Sequence, residues 1–206
     1  LFPDQNDELF LDVGANRGQS IDSILMQKRN CEIISFEPNS YLNNALEERY
    51  KKNKNVSIYK FGLGDQAGEF DLYIPFYRNY MFDLMASLDA KEATQWLKDK
   101  IFFYNESSVS VNKVKCSIKR LDDLKLKPTF IKLDIQDFEY NALLGAKETL
   151  EKHHPVLLIE RPDDKIINYL KQFQYNYYSF ENGAFVKDKI GSLNTFFMTA
   201  DIDVEK

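Results

Sequence analysis

The stretch that most constrains this chain is Phe10-Leu11-Asp12-Val13-Gly14-Ala15-Asn16-Arg17-Gly18, followed by Phe36-Glu37-Pro38. An apolar run ends in a glycine turn. A helical pattern follows, with Ile21, Ile24 and Leu25 between Gln19 and Arg29, and a second apolar run from Glu32 to Phe36 stops at Pro38. Strand, tight turn, helix and strand in that order form a βαβ unit, which belongs in a parallel sheet covered by helices.

The same rhythm continues with a helix from Tyr41 to Tyr50, offered caps by Asn39 and Ser40, and a third strand from Val56 to Phe61. It then breaks. Glu69 to Ile74 and Val109 to Ile118 alternate as half-exposed strands do, Pro75 to Asp89 reads as irregular and aromatic, and Ala90 to Lys100 reads as a short helix. The rhythm returns with a strand from Phe130 to Ile135, a helix from Glu139 to Leu150, and a strand from Pro155 to Ile159. A helix through Ile166, Ile167, Leu170 and Phe173 comes next. Tyr175 to Phe180 and Ala184 to Lys187 flank Asn182-Gly183, a hairpin turn signal, and Leu193 to Thr199 is a last strand. The expected architecture is α/β, mostly parallel with an antiparallel edge. It forms one domain over residues 1–206, with residues 68–118 inserted as a cap.

The chain has 206 residues, 44% of them hydrophobic, enough for a folded core and against disorder. A net charge of −5 argues against general affinity for nucleic acid or anionic membranes. The basic run Lys51, Lys52, Lys54 reads as a solvated helix end. No apolar run approaches the ~18 residues of a membrane span, and the first residues lack the basic-then-apolar pattern of a signal peptide. The chain begins with Leu1 rather than Met, so a piece of a longer polypeptide is expected, with that polypeptide's other domains as partners. Cys31 and Cys116 lack metal-ligand spacing and read as buried free thiols, which suits a reducing, cytoplasmic setting.

Ligands of such sheets bind beyond the carboxyl ends of strands, where strand order reverses. Gly14 permits the turn there and Gly18 a close helix start. Asp12 is placed to hold a cationic group, Asn16 to bond a carboxylate or amine, and Glu37 to accept both ribose hydroxyls of a nucleoside. Ala15, Pro38, Gly62, Leu63, Asp65 and Asp134 complete the expected cofactor site. A nicotinamide dinucleotide prefers Gly-x-Gly-x-x-Gly, and Asn16 at the middle position would crowd a pyrophosphate. S-adenosylmethionine has no phosphate and needs polar partners for its zwitterion, so it is favoured. A nicotinamide oxidoreductase and a non-catalytic adenosylmethionine-binding domain remain as alternatives.

Asp12-Val13-Gly14-Ala15-Asn16-x-Gly18, Phe36-Glu37-Pro38, Leu63-Gly64-Asp65, Leu121-Asp122-Asp123-Leu124, Lys132-Leu133-Asp134-Ile135, Gly145-Ala146 and Ile159-Glu160 together resemble the FkbM family of S-adenosylmethionine-dependent methyltransferases. The resemblance covers most of the chain. It implies a Rossmann-like class I methyltransferase fold with a seven-stranded sheet, and O-methylation, often of sugar or polyketide hydroxyls. The family's usual Lys-x-Asp-x-Glu/Gln-Gly-x-Glu keeps Lys132, Asp134, Gln136 and Glu139 here, but Asp137 replaces the glycine. Asp137 is expected to cap the next helix.

Methyl transfer to a hydroxyl needs alignment and gains from a general base. Asp134 is the first candidate base, Glu160 lies next to the same cleft, and Lys132 shares a strand face with Asp134. These three form the expected catalytic set, and Glu139 is expected to brace the loop. Asp134 and Glu160 are hard oxygen ligands for a divalent metal, but no third ligand is evident and no metal is expected. His153-His154 precede a strand at its amino end, away from the cleft. Tyr77, Arg78 and Tyr80 in the insertion suit stacking against a sugar ring. The expected acceptor is a hydroxyl of a glycan or glycolipid.

Overall fold

A computed structural model describes residues 8–28, 30–91, 93, 104–200 and 202. The helix expected over Ala90 to Lys100 falls mostly outside them. Among the described residues no helix is long and apolar enough to cross a membrane.

Strands β1 (Leu9–Val13), β2 (Glu32–Phe36) and β3 (Val56–Tyr59) alternate with helices α1 (Gln19–Gln27) and α2 (Ser40–Tyr50). The chain then forms β4 (Phe61–Leu63), β5 (Gly68–Tyr77), β6 (Tyr80–Met81) and β7 (Val109–Lys119). It returns to alternation with β8 (Phe130–Leu133), α3 (Glu139–Leu144), α4 (Lys147–His153), β9 (Val156–Glu160) and α5 (Asp164–Lys171). It ends with β10 (Asn176–Glu181), β11 (Ala184–Lys187) and β12 (Asn194–Met198).

The main sheet has eight strands in the order β11-β10-β12-β9-β8-β1-β2-β3. It is therefore one strand larger than the seven expected, because the Asn182-Gly183 turn adds β11 at the edge. Strands β3, β2, β1, β8 and β9 run parallel, and β12 pairs antiparallel with β9. Side-chain alternation along each central strand serves two cores. Leu11, Ile34, Ile131 and Leu157 pack towards Leu143, Leu150, Ile167 and Leu170 of α3, α4 and α5. Phe10, Ile33, Phe130 and Val156 pack with Ile21, Leu46 and Tyr50 of α1 and α2. Both faces are covered, which is why these strands read as continuous apolar runs rather than as alternation.

The insertion is a second sheet, ordered β4-β7-β5-β6. Its backbone is the long ladder of β5 and β7, from Gly68 opposite Ile118 to Tyr77 opposite Val109. The region expected to be irregular is thus ordered: β5 continues to Tyr77, turns back through β6, and enters a 3-10 turn at Asp83–Met85. The single strand expected from Val56 to Phe61 breaks at Lys60, so that Phe61 starts the second sheet. Rings of Phe36, Tyr59 and Phe61 pack together at the joint, 5.3–5.6 Å between centroids.

Candidate active site

A cavity of about 390 Å³ opens between the two sheets. Its floor is the carboxyl end of the parallel strands: Val13 and Gly14 after β1, Phe36, Glu37 and Pro38 after β2, and Asp134 to Phe138 after β8. Strand order reverses between β1 and β8, so this is the switch point of the sheet. The second sheet supplies the roof through Gly62, Leu63, Leu72, Ile118, Asp83 and Ala86 to Asp89. Ser87 is tied to β5 by a pair of backbone hydrogen bonds with Tyr73, at 2.8 and 3.1 Å. A cavity of this size suits a cofactor of a few hundred daltons.

Gly14 has φ +88°, and a Cβ there would sit 2.0 Å from the Asp134 carbonyl oxygen. This glycine lets the loops after β1 and β8 touch. The amides of Gly14 and Ala15 donate to the Phe36 carbonyl at 3.1 and 3.2 Å, which locks the first loop onto β2. Asn16, also at positive φ, donates its backbone N–H to Glu37 Oε2 at 2.8 Å, and Asn39 donates to Glu37 Oε1 at 2.9 Å. Glu37 is thereby fixed with a lone pair left on each oxygen. Burial pushes its carboxyl up to about 7, with the charges of Asp12 and Asp83 adding, against the pull of the two amides. Asn16 lines the cavity, and its side-chain oxygen is buried without a hydrogen-bond partner. A buried acceptor left open at a cavity wall fits a ligand that brings a donor.

The catalytic candidates form a connected chain of charge. Lys132 Nζ lies 2.9 Å from Asp134 Oδ2 and 3.8 Å from Asp12 Oδ1. Asp12 is fully buried behind the cavity floor and accepts from Ser35 Oγ at 3.2 Å. Burial raises its carboxyl to about 6, with Lys132 opposing. Asp134 and Glu160 face each other closely enough for the two carboxyls to share one proton. Burial opposes ionisation of Asp134, but the bond from Glu160, the Lys132 ammonium and Gln136 outweigh it and hold that carboxyl below its ordinary range. Glu160 moves the other way, up to about 7, through the bond to Asp134 and then burial.

Of the expected residues, the cavity wall gathers Gly14, Asn16, Glu37, Pro38, Gly62, Leu63 and Asp134. Lys132 and Glu160 stand behind Asp134. Asp12, Ala15, Gly18 and Asp65 do not line the cavity. Asp12 faces Lys132 inside the fold rather than a ligand. Gly18 packs beneath Tyr50, whose hydroxyl donates to the Gly18 carbonyl at 3.0 Å, and Asp65 accepts from Asn141 at 3.2 Å. Tyr77, Arg78 and Tyr80 also lie off the wall, at the far end of the β5–β6 hairpin. There Arg78 stacks over Tyr77 and Tyr80 packs edge-on to Phe82. Asp137 does not cap a helix: it adopts φ +67° beside Gln136 at +53°, and Phe138 precedes α3. Asp tolerates this left-handed region better than most residues, which is how it stands in for glycine. Glu139 does brace the loop, accepting from the Ile135 amide at 2.7 Å. His153 and His154 sit before β9, at the opposite end of the sheet.

The sequence places Gly62 and Leu63 at the site and the insertion as a cap, but it does not show which residues of the insertion roof the cavity. Asp83 lines the cavity and pairs with Arg17 of the β1–α1 loop, Nε to Oδ2 at 2.6 Å. Leu88, Asp89 and Phe138 were missed as well. The contact that places Asp83 bridges residues 66 apart in sequence and leaves no local pattern.

The sequence pattern of the methyltransferase FkbM domain matches residues 12–177. The chain belongs to the FkbM methyltransferase family. Among solved structures, the fold is similar to the methyltransferase FkbM from Methylobacillus flagellatus KT, at 17% identity and TM-score 0.58 over 92% of this chain. This chain spans 43% of that protein's length. A precorrin-6y C5,15-methyltransferase from Geobacter metallireducens is more distantly similar, at 13% identity and TM-score 0.45, over 94% of this chain and 79% of the other. A SAM-dependent O-methyltransferase from Thermotoga maritima also matches, at 10% identity and TM-score 0.44, over 98% and 63%. No curated protein matches. Membership of a methyltransferase family removes the nicotinamide alternative, and S-adenosylmethionine is the cofactor of this FkbM domain. The open Asn16 oxygen and the fixed Glu37 carboxylate, with no Lys or Arg on the wall among the described residues, fit that group, which is cationic overall and carries no phosphate.

Proposed function

We propose that this FkbM domain transfers a methyl group from S-adenosylmethionine to a hydroxyl oxygen of a sugar in a glycan or glycolipid. Bound in the cavity, S-adenosylmethionine supplies an electrophilic methyl group on a sulfonium. Glu37 would hold the ribose hydroxyls and Asn16 the amino acid end. The observation that carries the reading is Asp134. Its carboxylate is on the cavity wall, oriented by Lys132 at 2.9 Å and backed by Glu160. Asp134 orients the acceptor hydroxyl and takes its proton as the oxygen attacks. Once Glu160 has lost its own proton to solvent, the pair can keep the one taken from the hydroxyl, shared between Asp134 and Glu160. What supports a sugar acceptor is the density of acceptor groups on the wall, since Gln136, Asp137 and Asp89 can all meet hydroxyl donors.

The test joins calorimetry with transfer of a labelled methyl group to a panel of sugars. Asp134→Asn should lower kcat by about 10²–10⁴-fold, the range a positioned base supplies, while cofactor affinity changes far less. Normal turnover in this variant overturns Asp134 as the base. Tight cofactor binding without transfer to any acceptor favours the non-catalytic alternative.

A further inference from the structure

Two successive residues of the cavity wall stand in the left-handed region, Gln136 at φ +53° and Asp137 at φ +67°. Glycine takes this conformation freely, and other residues are strained in it. An aspartate in a turn is usually compensated by a bond from its side chain to nearby backbone. Such bonds occur elsewhere in this chain. Asn39 accepts from the Tyr41 amide at 3.0 Å, Asn53 from the Asn55 amide at 3.0 Å, and Asp163 from the Ile166 amide at 2.9 Å. Asp137 has no counterpart: α3 starts without a side-chain cap, and among the described residues no donor or cation pairs with the Asp137 carboxylate. Its charge also works against the fold, since burial and then Asp137 push up the carboxyl of Glu139, the brace of this loop. The backbone and the local charges would thus both be served better by glycine.

The loop nevertheless holds this side chain firmly at the cavity. The Ile135 amide is bound by Glu139 at 2.7 Å, and the Asp134 backbone rests against Gly14. Strand β1 lies between β8 and β2. The ends of β8 and β2 are therefore about 10 Å apart, two strand spacings. Glu37 stands at one end, and Asp134 and Asp137 at the other. Strain that the fold does not use, at a residue on a site wall, points to a ligand. We infer that Asp137 is a specificity-determining residue, whose carboxylate binds the methyl acceptor by accepting a hydrogen bond from a donor beside the hydroxyl that is methylated. That the acceptor lies at this end rests on the reading of Asp134 as the base.

Two variants test it. Asp137→Gly removes the carboxylate and gives the backbone the residue it favours. Asp137→Asn keeps the shape and tolerates the same φ. Both are compared with the wild type by melting, by calorimetry with S-adenosylhomocysteine, and by labelled methyl transfer to a panel of sugars, phenols and simple alcohols. Asp137→Gly should melt no lower than the wild type and bind S-adenosylhomocysteine within about twofold. Its KM for the acceptor should rise about 10–100-fold, the worth of a hydrogen bond to a charged group, with kcat changed much less. Asp137→Asn should recover part of that loss. Among deoxy analogues of the accepted sugar, one should weaken the wild type by the same factor and leave Asp137→Gly unaffected, which couples that hydroxyl to this carboxylate. An unchanged acceptor KM in Asp137→Gly overturns the inference. So does a lower melting temperature, which makes the residue structural, or a tenfold loss of S-adenosylhomocysteine affinity, which gives it to the cofactor. If a phenol or simple alcohol is methylated and no sugar is, the sugar reading falls, and the KM comparison on that acceptor still decides the role of Asp137. A wild type that transfers to nothing in the panel overturns both.

Discussion

Glu37 and Asp12 are acids held in the fold with their carboxyls raised, to about 7 and about 6. An acid whose folded pKa exceeds its unfolded one stabilises fully below the unfolded value, and that stability disappears as pH climbs through the folded value. The cofactor-free domain should therefore lose stability between about pH 4.5 and 7, by about 3 kcal/mol from Glu37 alone. Melting curves at pH 5 and 7.5 check this, and Glu37→Gln should flatten the difference. Turnover should behave oppositely, because the Asp134–Glu160 pair can take a proton only after Glu160 has lost its own. The kcat should rise as pH passes about 7, and Glu160→Gln should remove that rise. Gly14→Ala should cost about 3 kcal/mol or more, since the new Cβ meets backbone at a left-handed φ. These positions were legible in the sequence because the turn and the strand-end acid are local patterns. Asp12 was legible as a residue and not as a role: only the sheet shows that β8 brings Lys132 beside it.

Helices and strands were legible where both faces of a strand are buried, and less so where one element hands over to another. Glu139 to Leu150 reads as one helix, yet it divides at Gly145 into α3 and α4. A Cβ on Gly145 would sit 1.9 Å from the Gly64 carbonyl, so the helix gives way to let the loop after β4 pass. The motif Leu121-Asp122-Asp123-Leu124 has its explanation at the same place. Asp122 is buried and accepts from the amides of Glu148 and Thr149 at 3.0 and 2.9 Å and from the Thr149 hydroxyl at 2.8 Å, which caps α4 from a distance. Asp122→Ala should cost about 3 kcal/mol, as charged hydrogen bonds are lost and amides are left unmet. Denaturant unfolding checks the value. Asp122→Asn should recover part of it.

Across the whole molecule, stability follows the depth of the sheet. Strands β1, β8 and β9 lie at its centre with helices on either side, whereas β11 is an edge with most of its residues exposed. Amide exchange should be slowest in the first three and fastest in β11, with the β5–β7 ladder between them. Faster exchange in β1 than in β5 would contradict this ordering. The α/β class and the covered parallel sheet could be read from the sequence. The paired strands of the insertion alternate as expected, but nothing local announces that they form a separate sheet or that its underside roofs a cavity. One residue, Lys60, separates β3 from β4, and its ammonium is anchored to Glu47 and Asn44 of α2 at 2.7 and 3.0 Å. So short and tethered a joint gives the two layers no freedom to swing apart like a book. The Arg17–Asp83 pair then ties the two layers a second time, at the cavity itself, so the roof is held over the strand ends from both sides.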